Sequence, residues 1–228
     1  MDTGAIDLRR SPRARRLSLR LDMAARRIVL TAPDHASTAE IGAFLARHRR
    51  WVERTRAALP PSVPLAAGCV IPFRGRGHLI RHDPSWPRQP EATSDVIRVG
   101  GPRHHVGPRL HRWLRETART ALLAAVHDCA ARLSVDIGAV RLRDTKSRWG
   151  SCTAQGNLNF SWRLVLAPPE VLRYVAAHEV AHRREMNHSP RFWRLVAELV
   201  GDYRTPRAWL RRNGPGLHAV LVPTQDGG

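Results

Sequence analysis

The first part of the chain has two stretches of alternating apolar and polar residues, followed by one helical apolar stripe. The alternation at residues 17–21 and 28–30 predicts a β-hairpin. Ser37 followed three residues later by Glu40 is the capping-box pattern that begins a helix. Apolar positions at helical spacing then continue to Leu59, where prolines end the pattern. We therefore expect a hairpin and one helix in this region.

The middle of the chain changes from short apolar segments to one long helix. Residues 65–107 are rich in glycine and proline, and their short apolar pieces predict strands of a small sheet shared with the N-terminal hairpin. Pro108, a residue favoured at the first helical position, begins a long amphipathic helix. These patterns predict a β-rich region with one helix over residues 1–107 and a catalytic domain over residues 108–228.

The predicted catalytic domain mixes short strands with helices. The elements are, in chain order, a strand at residues 139–143, a loop at 146–152, a strand at 157–166, a helix at 170–186, a helix from Ser189-Pro190 to Gly201 and a last helix from Thr205-Pro206 to about Gly214. The predicted fold class is therefore α+β, with a helical catalytic domain and a small β-rich N-terminal part.

Composition excludes several classes of protein. Apolar residues make up 43% of the chain, as in soluble globular proteins, and no apolar run approaches the about 20 residues that span a bilayer. The N-terminus lacks the basic flank and apolar stretch of a secretory signal. The three cysteines, Cys69, Cys129 and Cys152, form no CxxC pair, which argues against a disulfide framework and a cysteine-built zinc finger. We expect a cytoplasmic protein with no membrane partner.

The chain is strongly basic, with 38 lysines and arginines against 19 acidic residues and a net charge of +19. Such a charge attracts polyanions, so nucleic acid or a nucleotide is a candidate partner. Lys146 is the single lysine, however, and the arginines are spread along the whole chain, which is typical of a coding bias toward arginine. We expect weak, sequence-independent binding of nucleic acid or nucleotide.

The segment His178-Glu179-Val180-Ala181-His182 has the HExxH pattern of a zinc hydrolase. Histidines four residues apart lie on one helical face, about 5–6 Å apart at Cβ, so two imidazole nitrogens can reach one ion at about 2.0–2.1 Å each. Glu179 points about 100° around the helix from His178. That direction suits it to take a proton from a metal-activated water rather than to bind the metal. The pattern predicts two zinc ligands, His178 and His182, and one general base, Glu179.

A catalytic zinc ion needs a third protein ligand and one open position. His188 follows His182 by six residues, past the expected helix end, and Asn187 can adopt the left-handed conformation that turns the chain back. The alternative is Glu198, on the next predicted helix. The spacing favours His188.

Three sequence blocks in the same order resemble one known family. They are Ser147-Arg148-Trp149-Gly150-Ser151-Cys152, then Asn157-Leu158-Asn159-Phe160-Ser161-Trp162-Arg163-Leu164, and the HEVAH helix with Asn187-His188-Ser189-Pro190-Arg191-Phe192-Trp193. These blocks resemble the YgjP-like metallopeptidase family, relatives of the SprT and WLM zinc proteases. The resemblance implies a zincin-like α+β fold, one zinc ion per chain, His178, His182 and His188 as its ligands, and Glu179 as the catalytic residue.

Residues around the motif suggest how a substrate would be held. The strand predicted at residues 157–166 precedes the HExxH helix, so it could pair with an extended peptide or serve as an ordinary sheet strand. Lys146 or Arg148 could stabilise an oxyanion or bind a phosphate, although a lysine that merely lies on the surface is the simpler interpretation. Cys152 is expected to pack in the interior rather than to bind metal.

The sequence thus predicts a zinc-dependent metallopeptidase that cleaves a peptide or protein substrate, with Glu179 as the general base. Two alternatives keep the metal and change the substrate. One is a metal-dependent nucleoside triphosphate pyrophosphatase, which the positive charge favours, whereas the HExxH geometry favours an amide. The other is a DNA-associated protease, which the SprT resemblance allows.

Overall fold

The computed structural model describes residues 6–22, 26–145 and 148–222. Its elements are, in chain order, β1 (Asp7–Arg10), β2 (Ser18–Asp22), β3 (Arg27–Ala32), α1 (Thr38–Arg47), α2 (Arg49–Ala57), β4 (Val63–Pro64), β5 (Val70–Phe73), β6 (Arg76–His82), β7 (Glu91–Ala92), β8 (Val96–Val99), α3 (Val106–Leu133), β9 (Val140–Arg143), β10 (Gly150–Cys152), β11 (Leu158–Ser161), α4 (Pro169–Ala181), α5 (Pro190–Val200), α6 (Arg204–Ala219) and β12 (Val220–Leu221). The predicted α+β class is confirmed. Within these ranges no helix is both apolar enough and long enough to cross a bilayer.

The first of two compact units, residues 1–61, contains a three-stranded sheet in the order β1-β3-β2. Strands β2 and β3 are antiparallel, with Leu19 opposite Leu30, so the predicted hairpin strands are confirmed; residues 23–25, between them, lie outside the described ranges. Strand β1 pairs in parallel with the other edge of β3. Leu30 of β3 and Ile41 of α1 form part of a small core.

The helical stripe of the first unit forms two helices rather than the single predicted one. The first, α1, begins at the expected capping box, where the Glu40 N–H donates to Ser37 Oγ (3.2 Å) and the Ser37 N–H donates to the Glu40 carboxylate (2.7 Å). The break falls at His48, whose Nδ1 donates to the carbonyl of Phe44 (2.8 Å). Only this one residue separates α1 from α2. The helical spacing of apolar residues is therefore nearly continuous, so the sequence pattern does not reveal the break.

The second unit, residues 62–228, contains a four-stranded sheet in the order β5-β6-β8-β7. The prediction that these strands share a sheet with the hairpin is wrong, because the hairpin strands form a separate sheet with β1. Ile71, Ile80 and Ile97 are buried in the same apolar core as Leu110 and Leu114 of α3. The compact units therefore divide at residue 61, whereas the sequence placed the boundary at residue 107.

A second sheet of this unit has the order β10-β11-β9, with β11 antiparallel to β10 and parallel to β9. The strand predicted at residues 157–166 ends at Ser161, whose Oγ accepts from the Arg163 N–H (3.4 Å) as the chain enters the 3-10 turn Trp162–Leu166. Both edges of β11 are paired. It is thus an ordinary sheet strand and cannot accept an added peptide strand.

Arg163 joins distant parts of the second unit. Its side chain is about 5% exposed, and its Nε and Nη2 donate to the Asp144 carboxylate at 2.9 and 3.3 Å. Nη1 donates to the carbonyls of Leu217 (2.9 Å) and Val220 (2.6 Å) at the end of α6. A buried guanidinium needs such partners, since an unpaired buried charge is strongly destabilising. The contacts hold the α6–β12 segment against the 3-10 turn.

Candidate metal centre

Helix α4 places the HExxH residues at its C-terminal end. Pro169 stands in the first turn, and the apolar residues Val171 and Val175 bury one face in the core. His178 and Glu179 lie in the last turn, and His182 caps the helix. The helix thus ends at Ala181 and not at residue 186 as predicted. The chain turns there so that the Glu185 carbonyl accepts a hydrogen bond from His182 Nδ1 (3.1 Å).

His188 lies in the short connection between α4 and α5. The Asn187 side chain accepts from the Ser189 N–H (3.1 Å), and Ser189 Oγ accepts from the Phe192 N–H (3.3 Å), which begins α5 as predicted. Asn187 does not adopt the expected left-handed conformation; in the described ranges the non-glycine residues with positive φ are Arg26, Arg74 and Ser134. The side-chain amide, rather than a left-handed backbone, turns the chain back.

The ligand nitrogens of His178, His182 and His188 all lie within 4.8 Å of one another. The Nε2 atoms of His178 and His188 are 3.1 Å apart. Two nitrogens bound to one tetrahedral zinc ion would be about 3.3 Å apart, so the cluster has the size of a single-ion site. Among the described residues this group consists of the three histidines alone. Glu198, the alternative third ligand, is not part of it.

Aromatic side chains from α5 pack around the three imidazoles. The fully buried ring of Phe192 lies 4.9 Å from the ring of His178, 4.6 Å from His182 and 4.7 Å from His188, centroid to centroid. Trp193 lies 5.8 Å from both His178 and His188. This packing limits the rotation of the imidazoles and holds their nitrogens together.

The surroundings of His178 and His182 favour the neutral form of both imidazoles. Burial, together with the charges of His182, His188 and Arg207, lowers the pKa of His178 to about 3. Burial also lowers the pKa of His182, although its hydrogen bond to the Glu185 carbonyl opposes the change. Neutral imidazole is the form that binds a metal ion. The bond from His182 Nδ1 leaves its Nε2 as the lone-pair nitrogen.

Glu179 is 5% exposed, and its carboxyl group lies directly beneath Gly150 of β10. A Cβ atom at Gly150 would stand 2.5 Å from Glu179 Oε1 and 2.6 Å from its Cγ, so only glycine fits without displacing the carboxylate. Burial raises the pKa of the Glu179 carboxyl to about 7, and the positive charge of Arg148 opposes this rise. A carboxylate with such a pKa is well matched to proton transfer near neutral pH.

Three other residues that the sequence singled out are Cys152, Arg148 and Lys146. Cys152 on β10 packs against the apolar core, and its Sγ donates to the Thr153 carbonyl (3.3 Å); it is not part of the histidine group. Arg148 is exposed, and its charge acts on Glu179. Lys146 lies outside the described residues, so its suggested role stays a prediction.

The sequence did not indicate a cationic aromatic stack beside the histidines. The guanidinium of Arg207 lies 4.6 Å from the centre of the Trp193 ring, and Tyr203 stacks on the same indole at 4.8 Å. In a chain with 38 basic residues, one arginine carries no signal of its own. The one signal in the sequence that pointed to this stack was Trp193, which ends the motif block at residues 187–193.

Comparisons with known proteins give the family of the chain. No match to a curated protein was found. A solved structure, the metallopeptidase zymogen of Pyrococcus abyssi abylysin, aligns with 41% of this chain and 92% of its own at 21% identity and a TM-score of 0.36, a likeness too slight to add to the assignment. The domain model described as YgjP-like, metallopeptidase domain matches residues 15–213. The chain therefore belongs to the YgjP-like metallopeptidase family, and so to the metal-dependent peptidases.

Proposed function

We propose that the protein is a zinc-dependent peptidase in which His178, His182 and His188 hold one zinc ion and Glu179 is the general base. The observation that carries the proposal is the convergence of three imidazole nitrogens within 4.8 Å beside a buried carboxylate. A group of three imidazole nitrogens, with no cysteine or carboxylate among them, matches one of the ligand sets that catalytic zinc prefers. The arrangement leaves a fourth position for water or substrate.

Zinc held there would supply Lewis acidity that lowers the pKa of water toward about 7 and polarises the scissile carbonyl. The protein contributes the proton transfers. Glu179, kept in an apolar environment with a pKa near neutrality, takes the proton of the attacking water and returns it to the leaving amine. Arg148, whose charge favours the ionised form of Glu179, keeps a fraction of that carboxyl in its basic form at neutral pH.

The position of β10 supports an extended peptide as the substrate. In the sheet order β10-β11-β9, β10 is an edge strand that pairs on one side among the described residues. Its Gly150 contacts the Glu179 side chain. A substrate that adds to the free edge of β10 through main-chain hydrogen bonds would therefore run past the general base.

The experiment compares the zinc-loaded and chelator-stripped full chain on an unfolded protein and on nucleoside triphosphates. We expect peptide-bond cleavage with zinc, its loss on chelation and its return when zinc is restored. Mass spectrometry of the products identifies the cleaved bonds. Pyrophosphate release without peptide cleavage would show that the centre acts on phosphoanhydrides and that the peptidase proposal is wrong.

Replacing Gly150 with alanine tests the place of Glu179. The new methyl group would overlap the carboxylate, so we expect loss of about 1–3 kcal/mol in the free energy of unfolding and about a hundredfold fall in kcat/KM from misplacement of the base. Zinc content should not change, since the three heavy atoms nearest to the added methyl group all belong to Glu179 and none to the histidines.

Gly42→Ala is the matched control for this variant. Gly42 lies in α1, and a Cβ there meets nothing within 4 Å. Alanine at that position should leave activity unchanged and increase stability by up to about 1 kcal/mol. Equal activity of Gly150→Ala and Gly42→Ala would mean that the Glu179 carboxylate does not act from the position beneath β10.

A further inference from the structure

Arginines gather along two adjoining cavities on the outer side of α3. The first cavity has a volume of about 400 Å³ and the second about 420 Å³, and Glu116 lines both. The arginines that line them, which we call the arginine track, are Arg88, Arg109 and Arg112 in the first cavity and Arg115, Arg119, Arg141 and Arg143 in the second. None of these residues belongs to the candidate metal centre.

The charge of the arginine track is almost uncompensated. Within the described ranges none of its members forms an ion pair; Arg109 donates to the carbonyls of Gly100 (3.0 Å) and Pro102 (3.2 Å). Glu116 is the one carboxylate among the residues that line the two cavities. The pKa of the neighbouring His105 is lowered first by the charge of His104, then by burial, and then by the charges of Arg109, Arg88 and Arg112.

The spacing of the track fits a repeating anion. The arginines of α3 fall on one side of the helix, opposite the buried residues Leu110, Leu114 and Ala118. From Arg109 to Arg119 the helix rises about 15 Å, at 1.5 Å per residue. In a duplex each strand advances about 3.4 Å per phosphate along the duplex axis, so this length corresponds to about four phosphate steps. Guanidinium groups bind phosphate oxygens in a two-pronged fashion.

An aromatic surface in the first cavity distinguishes among anions. Trp113 is half-buried, lines that cavity between the arginines, and packs against Phe73 with ring centroids 4.9 Å apart. A nucleic acid base can stack on a fixed indole. The carboxylates of an acidic peptide provide no ring that could stack there. We propose that the arginine track binds the phosphate backbone of a nucleic acid strand. The proposal is independent of the zinc chemistry.

The test removes the same charge from two places in the full chain. The track variant carries Arg112→Gln, Arg119→Gln, Arg141→Gln and Arg143→Gln, all exposed positions. The matched control carries Arg47→Gln, Arg50→Gln, Arg211→Gln and Arg212→Gln, also exposed. Fluorescence anisotropy measures the binding of labelled single-stranded and duplex DNA at several salt concentrations. Circular dichroism and zinc content establish that both variants fold.

The track variant should bind DNA at least about tenfold more weakly at low salt, with the slope of log affinity against log salt reduced by about 0.7–0.9 for each arginine that contacts a phosphate. The control should keep the wild-type slope, because none of its four arginines lines either cavity. Equal losses in both variants, or no binding by the wild type at low salt, would overturn the proposal.

Two further measurements distinguish DNA binding by the track from the effects of unfolding and from nonspecific binding of acidic polymers. Glu116→Gln removes the carboxylate within the track and should tighten DNA binding severalfold, a gain that unfolding cannot produce. Glu198→Gln, at an exposed position of α5, should leave the affinity unchanged. Polyglutamate should compete poorly with DNA. Competition as strong as that of unlabelled DNA at equal charge would show that the surface binds acidic peptides instead.

Discussion

Glu179→Gln is expected to keep its zinc and to lose about 10²–10⁴ in peptidase rate, the usual contribution of a general base. Glutamine preserves the volume beneath Gly150 but has no basic carboxylate. Because the wild-type carboxylate is 5% exposed, the neutral amide also removes the cost of burying a charge, so thermal stability should not fall. The measurements are zinc content, thermal unfolding and the initial rate on a cleavable peptide.

Glu170→Gln is the control on the same helix. Glu170 lies exposed in the first turn of α4, far from the C-terminal end that carries the histidines, and its replacement should not change the rate. Because substrate binding does not depend on proton transfer, the Glu179→Gln protein should retain bound substrate and allow its recovery. A loaded Glu179→Gln protein that turns over at the wild-type rate would show that another group is the base.

His188→Ala is expected to abolish zinc binding as fully as His178→Ala. In both variants the zinc content should fall from about one ion per chain to nearly none after dialysis. Two imidazoles leave an incomplete set of ligands. His188 is the more informative position, since it is exposed and its loss leaves no cavity in the core. Elemental analysis of the purified full-length variants gives the stoichiometry.

Glu198→Ala separates the two candidates for the third ligand. The Glu198 carboxylate is outside the histidine group, and its main-chain carbonyl accepts from Arg132 (2.5 Å), a contact that alanine preserves. This variant should keep about one zinc ion per chain. Zinc that is lost in Glu198→Ala and kept in His188→Ala would reverse the assignment.

Local signals in the sequence predicted those parts of the fold that neighbouring residues determine. The capping box at Ser37 begins α1, and Ser189 begins α5, because each side chain accepts from an N–H three residues later. The HExxH spacing likewise brings His178 and His182 together, since a helix of fixed pitch places them on one face. These features depend on backbone geometry over a few residues.

The remainder depends on contacts between segments distant in sequence. The parallel pairing of β1 with β3, and the end of β11 at Ser161 where Arg163 turns toward Asp144, are decided by tertiary partners. The same holds for the centre. Gly150 could be recognised as part of a motif block, but its contact with Glu179 exists only because β10 packs on α4.

The buried guanidinium of Arg163 has a consequence for the order of events during translation. Two of its acceptors, the carbonyls of Leu217 and Val220, are synthesised more than fifty residues after Arg163 itself. Until the ribosome has added them, Nη1 lacks both partners and the charge cannot be buried without a large penalty. Packing of α6 against the 3-10 turn therefore waits for Val220. A nascent chain that already carries all three histidines would not yet have a closed catalytic unit.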